Sequence, residues 1–249
     1  MFEERFIAFV DIIGFKEIVK KAKDNEEYQK KISDVLNYIA KIKTDNYHGE
    51  WSKYGICNDV SVFSDSIVIS YPCDRPDGDG LFYLLMDLIY LCFTLIQNDV
   101  YVRGGVTVGE IIHDQNISWG PAFVEAYELE EQNAIYPRII VDKKAIERGK
   151  ELYAQKFPYD KGGDDLDKLV LLDADGAYYL DYLSQWEEFD YLEDYLKWLK
   201  YVRNITIGNL NSNFCPKIKM KYVWFARYYN MIVARLPFAD KCELIDLDS

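Results

Sequence analysis

Two aspartates draw attention because each lies in a stretch that otherwise reads as a buried strand. Asp11 is near the end of FIAFVDIIGF (6–15), and Asp65 is in the middle of SVFSDSIVIS (61–70). If these strands are neighbours in one sheet, the two carboxylates converge at one edge. Close carboxylates repel each other, and partial burial makes the repulsion stronger. A divalent cation would relieve it, and Mg²⁺ is commonly held by one or two carboxylates together with substrate phosphates and water.

Each aspartate also has a purely structural explanation. Asp11 precedes a predicted helix and could act as its N-cap, while Asp65 could stabilise a turn. The spacing of the two residues leaves both interpretations open.

The hydrophobic pattern predicts the elements that must position these residues. An apolar helix and a strand containing two adjacent glycines follow the hairpin that carries Asp65, and such glycines indicate a close backbone approach or a bend. The order predicts an α+β fold with helices packed on a mixed sheet. The predicted elements are strand 5–13, helices within 15–43 broken near 24–25, strands 56–63 and 66–71, helix 81–96, strand 100–114, helix 120–134 and strand 138–142.

The last hundred residues have a different pattern. They contain a strand candidate at 169–174 and two long aromatic-rich helical patterns at 187–213 and 216–235. No linker rich in Pro, Gly or Ser separates them from the rest. We therefore divide the chain into a core, 1–145, and a mainly helical extension, 146–249, packed on that core or on a partner subunit.

Composition excludes several classes of partner. The chain has 249 residues and a formal net charge of −13, which disfavours a broad nucleic-acid surface and binding to anionic membranes. A triphosphate ligand would therefore need metal ions or a few local cations. The sequence has no GxxxxGK motif, so a Walker-type nucleotide site is disfavoured.

Location is indicated by the N-terminus, the apolar runs and the cysteines. MFEERF is charged and does not resemble a signal peptide, and the longest apolar run, 81–96, is short for a membrane span and contains Asp87. The five cysteines lack disulfide-like or zinc-like spacing, so we expect reduced thiols in a cytoplasmic protein.

Four motifs occur in a defined order along residues 5–142: FVDIIGF (9–15), the FSD hairpin, VRGGVTVGE (102–110) and WGPAFVEAYELE (119–130). Together they resemble the catalytic domain of class III nucleotidyl cyclases. The resemblance implies a ferredoxin-like βαββαβ core sheet. It also implies two divalent ions, Mg²⁺ or Mn²⁺, held by Asp11, Asp65 and the Ile12 carbonyl.

The resemblance also implies how a nucleoside triphosphate would be bound. Backbone N–H groups around Ile13, Gly14 and Phe15, at a helix start, would face phosphate oxygens. The active sites would lie at the interface of a head-to-tail homodimer.

The chain departs from the family where purine bases are read and where the transition state is stabilised. Ser61 and Ile117 replace the charged or polar purine readers, and Val124 and Glu128 stand at the counted positions of an asparagine and an arginine. Either the domain is an inactive module for dimerisation or sensing, or it is a cyclase that reads another base and takes its cation from elsewhere.

The compact pattern is similar to the pyrimidine cyclases of bacterial Pycsar antiphage systems. This similarity implies that UTP or CTP is converted to cyclic UMP or cyclic CMP, a second messenger in antiviral defence. Arg103 is our first candidate for the missing catalytic cation. Further candidates for substrate contacts are the cations Arg138 and Lys221 and the base-facing residues Tyr54, Asn58 and Ser61.

Overall fold

The computed structural model of the protein describes residues 1–48, 58–75, 80–114, 117–159 and 164–247. Within these ranges the strands are β1 (Glu3–Ile12), β2 (Asp59–Phe63), β3 (Ser66–Pro72), β4 (Val102–His113), β5 (Ser118–Trp119), β6 (Ile139–Val141), β7 (Val170–Leu172) and β8 (Tyr178–Leu180). The α-helices are α1 (Phe15–Lys23), α2 (Glu26–His48), α3 (Gly80–Ile96), α4 (Pro121–Glu128), α5 (Lys143–Lys156), α6 (Asp164–Lys168), α7 (Leu192–Leu210) and α8 (Pro216–Val233). A π-helical segment, Leu129–Asn133, continues α4.

The sheet has the strand order β2-β3-β1-β4-β6-β8-β7, and β5 pairs with β4. Among the first four strands each neighbouring pair is antiparallel, and helices connect β1 to β2 and β3 to β4. This is the ferredoxin-like βαββαβ arrangement, so the predicted α+β fold with this core is confirmed. Strand β6 then joins β4 in parallel, with Gly104 opposite Ile139.

Strand β1 is buried on both faces, which explains its almost continuous apolar sequence. Phe6, Ala8 and Val10 belong to the core under α2 and α3. Ile7 and Phe9 lie on the other face, where they pack against α4 in a smaller cluster. Because side chains alternate along a strand, Asp11 follows Phe9 onto the α4 side of the sheet.

The C-terminal part of the chain packs on the same core as the rest. Strands β7 and β8 extend the sheet, and one continuous core runs from Phe6 to Ile245. The predicted boundary at 145 falls inside α5, a helix that the sequence analysis did not predict. The side chain of Asp142 caps α5 by accepting a hydrogen bond from the Lys144 N–H. The buried residues of α5 include Ile146 and Leu152.

The break in the first helical region and the two C-terminal helices agree with the sequence prediction, within a few residues at their ends. None of the helices described is long and apolar enough to cross a membrane. The four cysteines in the described part of the chain form no disulfides with one another; they are Cys73, Cys92, Cys215 and Cys242.

Candidate active site

The hairpin between β2 and β3 brings Asp65 beside Asp11. Asp11 pairs with Ser66 across the β1–β3 ladder, and the Ile12 N–H donates to the Asp65 carbonyl over 3.0 Å. Ser64 makes the tight turn with a positive φ of 59°. Burial raises the pKa of Asp11 and the charge of Asp65 raises it further, while Arg103 acts in the opposite direction. The two carboxylates are thus close enough to interact, at the end of β1.

Arg103 lies next to Asp11 because the two residues are directly opposite in the β1–β4 ladder. Its Nε is 3.2 Å from Asp11 Oδ2 and 2.7 Å from Glu130 Oε1. Arg103 therefore contacts Asp11 of its own subunit. This arrangement favours action at its own site over action at a partner's site.

Glu130 is a member of this cluster that sequence reasoning missed. It lies in the π-helical segment and is only 3% exposed, and its Oε1 has no hydrogen bond of acceptable geometry despite the nearby Arg103. Burial raises the pKa of Glu130 to about 7, Arg103 opposes the rise, and Asp11 adds to it. The residues found by counting, Val124 and Glu128, are instead exposed.

Counting failed here because the relevant segment is π-helical. A π-helical turn follows i→i+5 bonding, shifts the side chains relative to a regular helix, and often occurs at functional sites. Here it directs Glu130 toward the sheet.

The two adjacent glycines of β4 let the helix approach the sheet. A Cβ at Gly105 would be 2.5 Å from the Ala126 carbonyl oxygen and 2.6 Å from the Leu129 Cβ. A Cβ at Gly104 would be 2.7 Å from the Phe9 carbonyl oxygen. The close approach expected from the glycine pair is therefore present, and the main-chain segment that approaches Gly105 is the one that carries Glu130.

Lys221 reaches the same site from α8. Burial lowers its pKa, and the neighbouring charges of Arg103 and Lys217 lower it further, while Asp11 and Glu130 oppose this effect. Among the described residues, no carboxylate forms an ion pair with Lys221 within 4 Å. The C-terminal extension thus contributes a cation that has no close counterion in the described part of the chain.

The turn from β1 into α1 has fewer free amides than expected. The Ile13 N–H donates to the Tyr101 carbonyl over 2.9 Å, so in this conformation it is not free for the predicted phosphate contact. Gly14 has a φ of 76°, a conformation that favours glycine, and Phe15 is the first residue of α1. The first N–H groups of a helix lack intrahelical acceptors, so Gly14 and Phe15 keep their predicted role as a proposal.

Arg138 is placed in a different cluster. Its guanidinium forms ion pairs with Asp173 and Asp175 and lies over the rings of Tyr136 and Trp224, and the side chain is 1% exposed. Because its charge is matched and buried, the predicted substrate contact is not supported.

Two of the three base-facing candidates, Ser61 and Asn58, have buried side chains that contact other polar groups. Ser61 is buried and its Oγ is 3.0 Å from His113 Nε2. Asn58 donates to Asp87 Oδ2 over 2.7 Å among residues under α3, on the opposite side of the sheet. Both side chains are therefore inaccessible, which contradicts direct base contacts in this conformation. Tyr54 lies outside the described residues.

A cavity of about 440 Å³ opens beside the site, between α1, α7 and α8. Ile13, Gly14 and Lys221 contribute to its lining, so it adjoins the end of β1. An open space that can admit a small molecule therefore adjoins the residues that follow Asp11 in the chain.

The aspartate pair is chemically suited to a divalent ion that the substrate helps to hold. Across the described ranges, no group of three His, Cys, Asp or Glu side chains is arranged to bind a metal. Mg²⁺ often takes only one or two carboxylates and completes its octahedron with phosphate and water. Asp11 and Asp65 meet that requirement, while the Ile12 carbonyl remains a predicted ligand.

No protein-family model matches the sequence, and no curated protein matches it either. The search of solved structures did find similar chains. The guanylyl cyclase Cya2 has 14% identity and a TM-score of 0.42, covering 60% of this chain and 79% of its own. The monomeric guanylyl cyclase domain of the RhoGC fusion protein from the aquatic fungus Blastocladiella emersonii has 13% identity and a TM-score of 0.41, covering 72% and 95%. The overlap is partial in each case.

Proposed function

We propose that the protein is a metal-dependent nucleotide cyclase that converts UTP or CTP to the 3′,5′-cyclic monophosphate and pyrophosphate. One observation carries the proposal: two partly buried carboxylates, Asp11 and Asp65, meet at a strand end beside the cations Arg103 and Lys221. Such a site presents negative charge to a metal ion and positive charge to a polyphosphate. The sequence resemblance to class III cyclases gives this chemistry its direction.

Each residue of the site has a definite proposed role. Asp11 and Asp65, with the Ile12 carbonyl, would hold two Mg²⁺ or Mn²⁺ ions. When bound, these ions would lower the pKa of the ribose 3′-hydroxyl and stabilise the pyrophosphate leaving group. Arg103 and Lys221 would neutralise charge that develops on the transferring phosphate, and the first amides of α1 would bind phosphate oxygens.

Arg103 would have to leave Asp11 when a metal binds there. Its second contact, with Glu130, would keep the guanidinium at the site during that exchange, because the Nε lies closer to Glu130 than to Asp11. Glu130 is thus proposed as a positioning residue for Arg103.

Further parts of the proposal rest on the resemblance. These are the pyrimidine preference, the role in antiphage defence, the cytoplasmic location and the homodimer. Trp119, Val124 and Tyr127, on or beside α4, are exposed apolar residues that support a protein contact on this face.

The alternative is an inactive cyclase-like module for dimerisation or sensing. Such a module would have no need to keep the two carboxylates together or to leave space beside them. The proximity of Asp11 to Asp65 and the adjoining cavity favour an enzyme.

The experiment that tests the function is incubation of the purified protein with each of the four nucleoside triphosphates and Mn²⁺. We expect cyclic UMP or cyclic CMP as the main product. An Arg103→Ala variant should lose about a hundredfold or more in rate, as expected when a contact made in the transition state is removed. The inactive-module alternative predicts no cyclic product from any substrate.

A further inference from the structure

The cavity between α1, α7 and α8 has walls that are unusually aromatic for an open space. Tyr101 and Tyr222 meet edge to face with centroids 5.4 Å apart, and Phe214 stacks on Tyr222 at 5.6 Å. Tyr28 forms another part of the wall. Aromatic faces of this kind stack well with nucleobases, regardless of base identity.

The polar groups of the cavity leave an excess of positive charge. The lining carboxylates have other partners: Glu17 pairs with Lys20 at 2.7 Å, and Asp99 pairs with Lys31 at 2.8 Å. Lys21 lies over the Tyr28 ring at 5.6 Å, and Lys221 has the cations Arg103 and Lys217 as well as the carboxylates Asp11 and Glu130 nearby. In a chain with a net charge of −13, this local excess favours an anionic ligand.

The cavity also offers a hydrogen-bonding group at its aromatic wall. Asn209 contributes to the lining near the Tyr101 hydroxyl, which itself lies 3.2 Å from Thr206 Oγ1. An amide can both donate and accept, and the polar edge of a base requires both.

We propose that this cavity binds a nucleotide, with the base against the aromatic wall and a phosphate at Lys221. The volume of about 440 Å³ is within the range of small-molecule sites. The nucleotide has two possible sources: a separate effector, or the substrate itself with its base turned into the cavity. The second case rests on the function proposed above, whereas the first does not.

Lys221 connects the cavity to the candidate active site. It lines the cavity and also lies within electrostatic range of Asp11, Arg103 and Glu130. A phosphate held at Lys221 would therefore change the charge balance at the aspartate pair. Binding in the cavity and binding at the aspartates are expected to influence each other.

Gly208 provides a direct test because it lines the cavity and has room for a side chain. A Cβ built there meets no other atom within 4 Å, and the residue lies inside α7. Gly208→Phe should fill the space, while Gly208→Ala is the matched control with the same loss of glycine flexibility. Within a helix, alanine is favoured over glycine by about 1 kcal/mol and phenylalanine by a smaller amount, so neither variant is expected to melt below the parent protein.

Binding of UMP and CMP would be measured by titration calorimetry, with inorganic triphosphate as the probe that lacks a base. We expect at least one nucleotide to bind the parent protein and Gly208→Ala with similar Kd. Gly208→Phe should raise that Kd about tenfold or more. Phe214→Ala should raise it about fivefold or more, the usual effect of losing one stacking partner. Binding of inorganic triphosphate should be unaffected by Gly208→Phe.

The two sources are separated with a UTP analogue in which methylene replaces the α–β bridging oxygen. If the substrate base fills the cavity, Asp65→Asn and Gly208→Phe both weaken binding of the analogue. If a separate effector binds there, Gly208→Phe weakens binding of UMP or CMP but leaves binding of the analogue unchanged, whereas Asp65→Asn still weakens binding of the analogue. The proposal is overturned if neither monophosphate binds, or if Gly208→Phe binds them as tightly as Gly208→Ala. These measurements report binding at equilibrium and need no turnover. They therefore test the cavity even if the protein proves not to be a cyclase.

Discussion

At the scale of single residues, the site is built from charges that are unfavourable without a ligand. Asp11 is partly buried, and both its burial and Asp65 raise its pKa, which means that its ionised form is destabilised by its surroundings. Natural proteins tolerate such pairs where they have a task, since a bound cation removes the repulsion.

The first prediction concerns these two carboxylates. Asp11→Asn and Asp65→Asn should each lower turnover at least a hundredfold, because the proposed metal ligands are lost. Their melting temperatures should stay within a few degrees of the parent protein, since removing a like charge relieves repulsion. Product formation and thermal melting would be measured on the same preparations. Near-normal turnover in either variant would rule out the metal assignment.

The second prediction concerns Glu130 and pH. Its pKa rises from 4.5 in the unfolded chain to about 7 in the folded protein, so the folded state binds more protons between these values. The free energy of unfolding therefore decreases as pH rises through this window. Gln cannot titrate, so Glu130→Gln should gain stability relative to the parent protein between pH 5 and pH 8. The gain should reach about 3 kcal/mol, at about 1.4 kcal/mol per pKa unit.

Urea denaturation at several pH values would measure this difference. If Glu130→Gln also loses stability because Arg103 loses its partner, that loss is the same at every pH. It does not change how the stability difference between variant and parent depends on pH. A stability difference that is the same at pH 5 and pH 8 would contradict a raised pKa for Glu130.

Sequence reasoning identified Asp11, Asp65, Arg103 and Lys221, which the structure brings together. The structure gives no support to the predicted substrate contacts of Asn58 and Arg138, because residue type does not reveal which face of a sheet a side chain occupies or which carboxylates surround it. The partners of Arg138 come from a segment thirty-five residues further along the chain. Such distant pairings cannot be found from local spacing.

At the scale of elements, the β4 glycines and the π-helical segment determine where Glu130 lies. The sequence shows the glycine pair, and from it we predicted a close backbone approach or a bend in this strand. The π-helical turn was not predictable, because apolar spacing over five residues does not distinguish it from an ordinary helix. Helix α5 was missed because its sequence is strongly polar and only four of its residues are buried.

The third prediction tests this approach of helix to strand. In Gly105→Ala the new Cβ would clash with main-chain and side-chain atoms of the α4 and π-helical segments at 2.5–2.6 Å. We expect a loss of about 1–3 kcal/mol in stability, as for other overpacked sites, and a large loss of turnover because Glu130 and Arg103 move apart. Gly109→Ala is the matched control on the same strand, since its Cβ would lie 3.4 Å from the nearest atom. Equal effects in both variants, measured by urea denaturation and activity, would contradict this explanation.

At the scale of the whole molecule, the C-terminal part completes both the core and the site. Strands β7 and β8 extend the sheet, and α8 carries Lys221 toward Asp11. Trp224, one turn after Lys221, donates from its indole to Asp173 over 2.9 Å, and Asp173 also pairs with Arg138. This contact holds α8 on the sheet and thereby fixes the position of Lys221 relative to Asp11.

The fourth prediction follows from the shared core. A fragment ending at residue 145 would expose apolar residues that α7 and α8 cover, including Phe93 against Trp198 and Tyr101 against Phe225. We expect this fragment to be insoluble or unfolded, as shown by circular dichroism and by dispersion in amide NMR spectra. A stable, folded fragment would instead show that residues 1–145 form an independent domain and would contradict the shared core.

The central claim is that this site cyclises a pyrimidine nucleoside triphosphate. The most direct measurement incubates the purified protein with ATP, GTP, CTP and UTP in separate Mn²⁺ reactions, identifies the products by chromatography and mass spectrometry, and repeats each reaction with Asp11→Asn. We expect 3′,5′-cyclic UMP or cyclic CMP with release of pyrophosphate, and neither product from the variant. Cyclic AMP or cyclic GMP as the main product would contradict the pyrimidine assignment, and the absence of any cyclic nucleotide would contradict the cyclase itself.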